Sequence, residues 1–156
     1  MAYYMRFFST DTAPTFAQVM DAVVKSDPHL KWHNVSKSGD DHAGSAVLSC
    51  TPDGSKGFDC AVVELLLPQH ESFNEEKSEA LDFAEDGEGD VAGVTNTLNT
   101  TQFVVLIQVL YENASNDEVF DALDFLWNWL KPNFKGISQA DGEGFYDGND
   151  LILECE

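Results

Sequence analysis

Basic residues are scarce in this chain of 156 residues. It has seven lysines and a single arginine, Arg6, against 28 aspartates and glutamates, so its net charge is −20. A surface of this charge repels nucleic acid and anionic membranes, and neither is an expected partner. The lone arginine also argues against phosphate or carboxylate substrates, which favour bidentate arginine contacts. The charge favours basic proteins and cations, or else serves only solubility or adaptation to salt.

Familiar catalytic motifs are also missing. The sequence has no P-loop, no dinucleotide-binding glycine motif, no nucleophile elbow, no HExxH and no paired CxxC. We therefore expect a protein that is not an enzyme and that needs no cofactor, a weakly held divalent cation being the exception.

Long apolar runs and secretion signals are lacking too. No apolar run approaches the roughly 20 residues that cross a bilayer, and the N-terminus lacks the basic start and apolar stretch of a signal peptide. Three cysteines, an odd number, fit a reducing compartment, so we expect a cytoplasmic protein. Cys50 and Cys60 flank a turn-rich loop, where they either face each other or are two buried thiols.

The chain nevertheless has enough apolar material to fold. Apolar residues make up 43% and aromatic residues 12%, which is too much for a disordered acidic chain. Residue patterns and turn signals predict short alternating elements. The predicted strands are 3–8, 30–35, 46–50, 60–67, 102–111, 136–139, 145–146 and 151–155. The predicted helices are 15–25, 72–85, 91–98 and 115–130. This order predicts one α+β domain over residues 1–156, with a mainly antiparallel sheet and helices on one side.

Two segments of about fifty residues share the same predicted layout. Residues 3–50 and 103–155 each contain a strand, a helix and two further strands, and residues 59–100 link them. The layout suggests two β-α-β-β halves, although the ordinary alternation of short elements explains it equally well. Capping boxes are predicted at Ser72–Glu75 and Ser115–Glu118, each at the start of a helix.

Acidic residues are spaced along one face of two predicted helices. Side chains at intervals of three and four residues share a helix face, and like charges there destabilise the helix by about 0.2–0.5 kcal/mol per pair. Such stripes indicate either a surface for a basic partner, in which case the two stripes should lie side by side and form one electrostatic face, or solvated helix faces, in which case they should lie on opposite faces of the fold. The stripe residues are Glu75, Glu79, Asp82 and Asp86 on the middle helix, and Asp117, Asp121 and Asp124 on the last helix.

The last helix also carries apolar residues outside its main buried stripe. Phe125 and Trp129 lie on this second strip. Either the helix is sandwiched beneath the middle helices, or these two residues form an interaction patch, for which a homodimer is one use.

A weak cation site is suggested by Asp86, Glu88 and Asp90. Their alternate spacing resembles the start of a calcium loop, but an EF-hand needs glycine at position 6 and glutamate at position 12. Val91 and Thr97 occupy those positions, which excludes an EF-hand and leaves only a looser site.

The sequence therefore favours a non-catalytic acidic protein that binds a basic protein, of the immunity or inhibitor kind. The alternative is a domain that binds a small ligand or cation in a cleft between the two halves, lined by aromatic residues such as Trp32, Phe145 and Tyr146. An enzyme of unrecognised type is the third hypothesis.

Overall fold

One antiparallel sheet of nine strands organises the described part of the chain. The structure is a computed structural model that describes residues 3–37, 43–51, 57–110 and 116–155. The strand order is β2-β3-β4-β6-β1-β7-β8-β9-β5. The strands are β1 (Tyr3–Ser9), β2 (Leu30–Lys37), β3 (Gly44–Cys50), β4 (Phe58–Leu66), β5 (Glu88–Gly89), β6 (Phe103–Val109), β7 (Gly136–Ala140), β8 (Gly144–Asp147) and β9 (Asp150–Glu154). The helices are α1 (Phe16–Ser26), α2 (Glu71–Glu85), α3 (Val91–Asn99) and α4 (Asn116–Asn133). The predicted α+β class is confirmed.

Helices cover both faces of the sheet, so the expectation of helices on one side is wrong. Successive residues of β1 show this directly, because neighbouring side chains on a strand point to opposite faces. Phe7 is buried in the core beneath α1 and α4, whereas Phe8 is buried in the core beneath α2 and α3. The two helix pairs therefore lie on opposite sides of the sheet.

The central strand β6 explains why both faces are covered. Its residues from Phe103 to Ile107 are all apolar and all buried. Val105 packs towards α1 and α4, and Val104 packs towards α2 and α3. A strand that is apolar at consecutive positions has two faces to remove from water, and a single helical layer would leave one of them exposed.

Both halves contribute to the same sheet, but in opposite order. β1 and β6 are antiparallel neighbours at its centre. In the first half the last strand, β3, is nearer to this central pair than β2, and β4 lies between β3 and the pair. In the second half the strand that follows α4, β7, lies directly next to the pair. The layouts are alike along the chain and differ in space. The linking residues supply α2, β5 and α3, and most of β4.

The helix starts differ from those that the sequence suggests. α2 begins at Glu71 with His70 as its N-cap and no side-chain cap, so the capping box at Ser72 is wrong. A capping box does form at α1, where Thr15 accepts from the amide of Gln18 and the Gln18 side chain accepts from the amide of Thr15. Ser115 lies outside the described residues.

The two helical layers cover different parts of the sheet. Ile137, Phe145 and Leu153, from β7, β8 and β9, belong to the core beneath α2 and α3. The described core beneath α1 and α4 draws on β1 to β4 and β6, and on none of β7 to β9. On the α4 side, Ser138 and Ala140 of β7 are buried, whereas Tyr146 of β8 is half-buried and Leu151 of β9 is exposed. Among the described residues, helical cover on this side therefore ends at β7. No helix among the described residues is long and apolar enough to span a membrane.

Candidate functional site

The two acidic stripes lie on opposite sides of the molecule. All seven stripe residues are exposed: Glu75, Glu79, Asp82 and Asp86 on or beside α2, and Asp117, Asp121 and Asp124 on α4. Because α2 and α4 pack on opposite faces of the sheet, the stripes cannot form one electrostatic surface. The expectation that the acidic groups gather on one face is wrong, and the position of the stripes on opposite faces favours the interpretation of solvated helix faces.

The second apolar strip of α4 is half-buried. Phe125 and Trp129 both pack against the core that α4 shares with α1, and Trp129 makes an edge-to-face contact with Phe134 at 5.3 Å between ring centroids. The expectation that the middle helices cover this strip is wrong, because α2 and α3 lie on the other face.

The residues suggested for a loose cation site have separate structural positions. Asp86 is the C-cap of α2, Glu88 is in β5, and Asp90 is the N-cap of α3, where its carboxylate accepts from the amide of Gly93 at 2.9 Å. Asp86 and Glu88 line a depression of about 500 Å³ that Phe83 also lines. Within the described ranges, no group of three or more His, Cys, Asp or Glu side chains is placed to hold a metal ion.

A groove lies where α4 leaves the sheet uncovered, and we call it the α4 groove. It has a volume of about 680 Å³. Its floor comes from β1, β7 and β8, and its wall is the flank of α4. The aromatic residues that line it are Tyr3, Phe120, Trp127 and Tyr146, and the charged residues are Asp124, Lys131 and Glu143.

One carboxylate in the α4 groove is held by two tyrosines. The hydroxyls of Tyr3 and Tyr146 each donate to a different oxygen of Glu143, both at 2.6 Å. The hydrogen bond to Glu143 raises the pKa of Tyr146 above its ordinary value. The carboxylate therefore has a fixed position between two aromatic rings.

A lysine already occupies part of this groove. The Nζ atom of Lys131 lies 5.4 Å from the centroid of the Trp127 ring, and it donates to Oδ1 of Asn149 at 3.3 Å. Trp127 is only 7% exposed, and its indole N–H has no acceptor among the described residues. Partial burial raises the pKa of Asp124, on the same wall, and neighbouring Asp121 adds to the rise while Lys131 opposes it.

The α4 groove continues past Lys131 into a second depression of about 720 Å³. The two share Lys131, Pro132, Ser138 and Gly148, and the second also includes Asp11 and Lys135. Together they run along α4 from Phe120 to Asn133. The second depression is lined mostly by polar and charged residues, and the aromatic residues of the α4 groove lie in the first.

A buried ion-pair network lies on the opposite face of the sheet. Nε of Arg6 donates to Glu76 of α2 at 2.5 Å, and Nη1 donates to Asp141 in the β7–β8 turn at 2.9 Å. The adjacent Gln139 is buried, and its Oε1 atom has no donor among the described residues. Arg6 ties α2 and the turn to the centre of the sheet, and thus has a structural role that the sequence did not indicate.

The aromatic cleft expected between the two halves is not formed as predicted. Trp32 packs on Phe16 and donates its indole N–H to the carbonyl of Met20, and Phe145 is fully buried beneath α2 and α3. Of the three residues proposed, Tyr146 alone lines the α4 groove. The sequence did not indicate Tyr3, Phe120 and Trp127 as site residues, because only the packing of α4 beside β1 brings Tyr3 to the two α4 residues.

All three cysteines are free thiols, so Cys50 and Cys60 do not form a disulfide. Cys60 is buried, and its thiol donates to the carbonyl of Leu48. Burial raises the pKa of this thiol to about 12.

Comparison with protein-family models, with curated protein sequences and with solved structures finds no match to this chain.

Proposed function

We propose that this chain is a non-catalytic binding protein for a basic partner protein, and that the partner docks on the α4 side of the sheet. The observation that carries the proposal is the α4 groove, an open depression between the flank of α4 and strands β7 and β8 that is lined by aromatic residues. Aromatic rings that are partly open to solvent are typical of protein interfaces.

Charge supports a basic partner for this surface. The exposed carboxylates of Asp121 and Asp124 lie along α4, and Glu143 and Asp147 line the groove and its continuation. A net charge of −20 steers a cationic protein towards the molecule, and the local carboxylates favour its docking in one place. Lys131 and Lys135 reduce this local charge only in part.

The acidic stripe of α2 is assigned to solvation. It lies on the other face of the sheet from the α4 groove, so a partner seated in the groove does not reach it. The two stripes therefore offer a matched comparison within one molecule. Each can lose three exposed charges, and the net charge of the chain changes by the same amount in both cases.

Affinity capture at low salt with matched triple variants tests this proposal. The first is Asp117→Asn, Asp121→Asn and Asp124→Asn on α4, and the second is Glu75→Gln, Glu79→Gln and Asp82→Asn on α2. We expect the wild type and the α2 variant to retain one basic protein that salt releases, and the α4 variant to retain much less. Equal losses in both variants, or no basic protein bound at all, would contradict the proposal.

A small ligand is the second candidate, because the volume of the α4 groove falls within the range of about 300–1,000 Å³ that is typical of ligand sites. A ligand that binds only the folded chain raises its melting temperature. A screen of small cationic and aromatic compounds by thermal shift separates this function from protein binding. It is supported if a compound raises the melting temperature of the wild type but not of a Tyr146→Ala variant.

A further inference from the structure

The aromatic end of the α4 groove has the chemistry of a cation site. The rings of Tyr3 and Phe120 meet edge to face at 6.3 Å between centroids, and Tyr146 lies across the floor. Between the tyrosines, the Glu143 carboxylate is fixed by two hydroxyl donors at 2.6 Å. A cation is attracted by ring faces and by a carboxylate together, and the gain increases as water is excluded.

Lys131 shows that this groove accommodates an ammonium group. Its Nζ atom lies over the Trp127 ring at 5.4 Å, at the junction of the two depressions. The contact uses part of the attraction that the groove offers to a cation, and the positive charge of Lys131 opposes a second one. Lys131 is thus a built-in competitor for any cation that enters from solution.

We propose that the α4 groove binds the side-chain ammonium of a lysine from the basic partner, beside the Glu143 carboxylate, in competition with Lys131. This inference rests on the proposed function and names the chemistry of its contact. Glu143 supplies the opposite charge, the rings of Tyr3 and Tyr146 enclose the ammonium, and Lys131 sets the affinity by opposing it.

Nuclear magnetic resonance of the tryptophan indole groups tests the inference. The probe is a short acetylated and amidated Gly-Lys-Gly peptide, and the control probe is the same peptide with Nε-acetyllysine, which has no charge. Both are titrated into the full chain at constant ionic strength. The indole signal of Trp127 is assigned by elimination, with Trp32→Phe and Trp129→Phe variants. We expect a saturable shift of the Trp127 signal with the lysine peptide alone.

Three variants show whether the named residues act as proposed. Glu143→Gln is expected to weaken binding about fivefold, the equivalent of about 1 kcal/mol. Lys131→Met keeps the apolar stem and removes the charge, and it is expected to tighten binding about threefold or more. Glu79→Gln removes one charge from the opposite face and should leave the affinity unchanged. Because misfolding cannot make a variant bind more tightly, Lys131→Met is the most stringent test among the three variants.

The inference is overturned if both probes shift Trp127 equally, if Trp127 does not move, or if Lys131→Met fails to tighten binding. These outcomes are separate from the failure of the proposed function. If the α4 charges control capture of a basic protein but the lysine peptide leaves Trp127 unchanged, the function stands and the ammonium site does not. If the peptide binds and no basic protein is captured, the site stands without the partner.

Discussion

Replacement of Arg6 is expected to destabilise the chain more than most single substitutions. Arg6 is 7% exposed and donates to the carboxylates of Glu76 and Asp141, which belong to α2 and to the β7–β8 turn. An Arg6→Met variant keeps an apolar stem of similar length but leaves two partly buried carboxylates without their cation. We expect the free energy of unfolding to fall.

The structure sets the size of this loss. Removal of one partner from a buried ion pair costs about 3–5 kcal/mol. The side chain of Asp141 is 34% exposed and that of Glu76 is 17% exposed. Because water partly solvates the two unpaired carboxylates, we expect a loss at the low end of this range. A loss of about 3 kcal/mol lowers the melting temperature of a chain of this size by about 6–12 °C.

Urea unfolding followed by circular dichroism measures this loss, and a double-mutant cycle identifies its cause. The second substitution is Glu76→Gln. It removes the charge from the more buried of the two carboxylates that Arg6→Met leaves without a cation. If the charge left behind is the cause, Arg6→Met combined with Glu76→Gln should be more stable than the sum of the single changes predicts, by about 1–2 kcal/mol. A loss below about 1 kcal/mol for Arg6→Met, or strict additivity in the cycle, would show that the two carboxylates do not depend on Arg6 for their stability.

Three smaller effects test other parts of the structure. Thr15→Ala removes the cap of α1 and should cost about 1 kcal/mol in urea unfolding, whereas Ser72→Ala should cost less than about 0.5 kcal/mol; equal costs would contradict the assigned helix start. At pH 8, alkylation mapped by mass spectrometry should leave Cys60 unmodified in the folded chain while Cys50 and Cys155 react, because Cys60 is buried with a pKa raised to about 12, whereas Cys50 and Cys155 are partly exposed and their pKa values are raised less. Burial, and then the charge of Glu76, raise the pKa of Glu64. Glu64 therefore binds its proton more tightly in the folded chain than in the unfolded chain. The stability that this bound proton contributes is lost as the pH rises through the raised pKa of Glu64. Glu64→Gln should thus increase stability at pH 7, by an amount that shrinks as the pH approaches 4; lower stability at pH 7 would be inconsistent with this pKa.

Local elements were readable from the sequence. Val91, Val94 and Leu98 predicted a helix that the structure has at Val91–Asn99, and the apolar run after Gln102 predicted the central strand β6. These patterns repeat within a few residues and depend on the burial of one or both faces of a single element. Short elements with little burial, such as β5 at Glu88–Gly89, gave no such signal.

The sequence patterns predict helices on one face of the sheet, although the sequence contains a signal for helices on both faces. Phe7 and Phe8 are consecutive large aromatic residues in β1, and both are buried. Consecutive apolar residues in a strand indicate a sheet that is covered on both sides. Together with the consecutive apolar residues of β6, this pair indicates that helices lie on both sides of the sheet, but it does not assign α2 or α4 to either side.

The α4 groove could not be derived from the sequence, because its residues are distant along the chain. Tyr3 and Tyr146 meet at Glu143 only because β7 pairs with β1 and β8 pairs with β7. Strand order depends on long-range packing, about which the local periodicity of the sequence carries no information. The one usable signal was the aromatic Tyr146 within an acidic, glycine-rich segment.

The most direct test of a binding surface on the α4 side is a map of backbone amide shifts. The ¹⁵N-labelled chain is titrated with a lysine-rich peptide at two salt concentrations. We expect chemical shift changes that are confined to α4, β7 and β8 and that are smaller at high salt. Shifts of equal size along α2, or shifts spread over both faces of the sheet, would contradict this expectation.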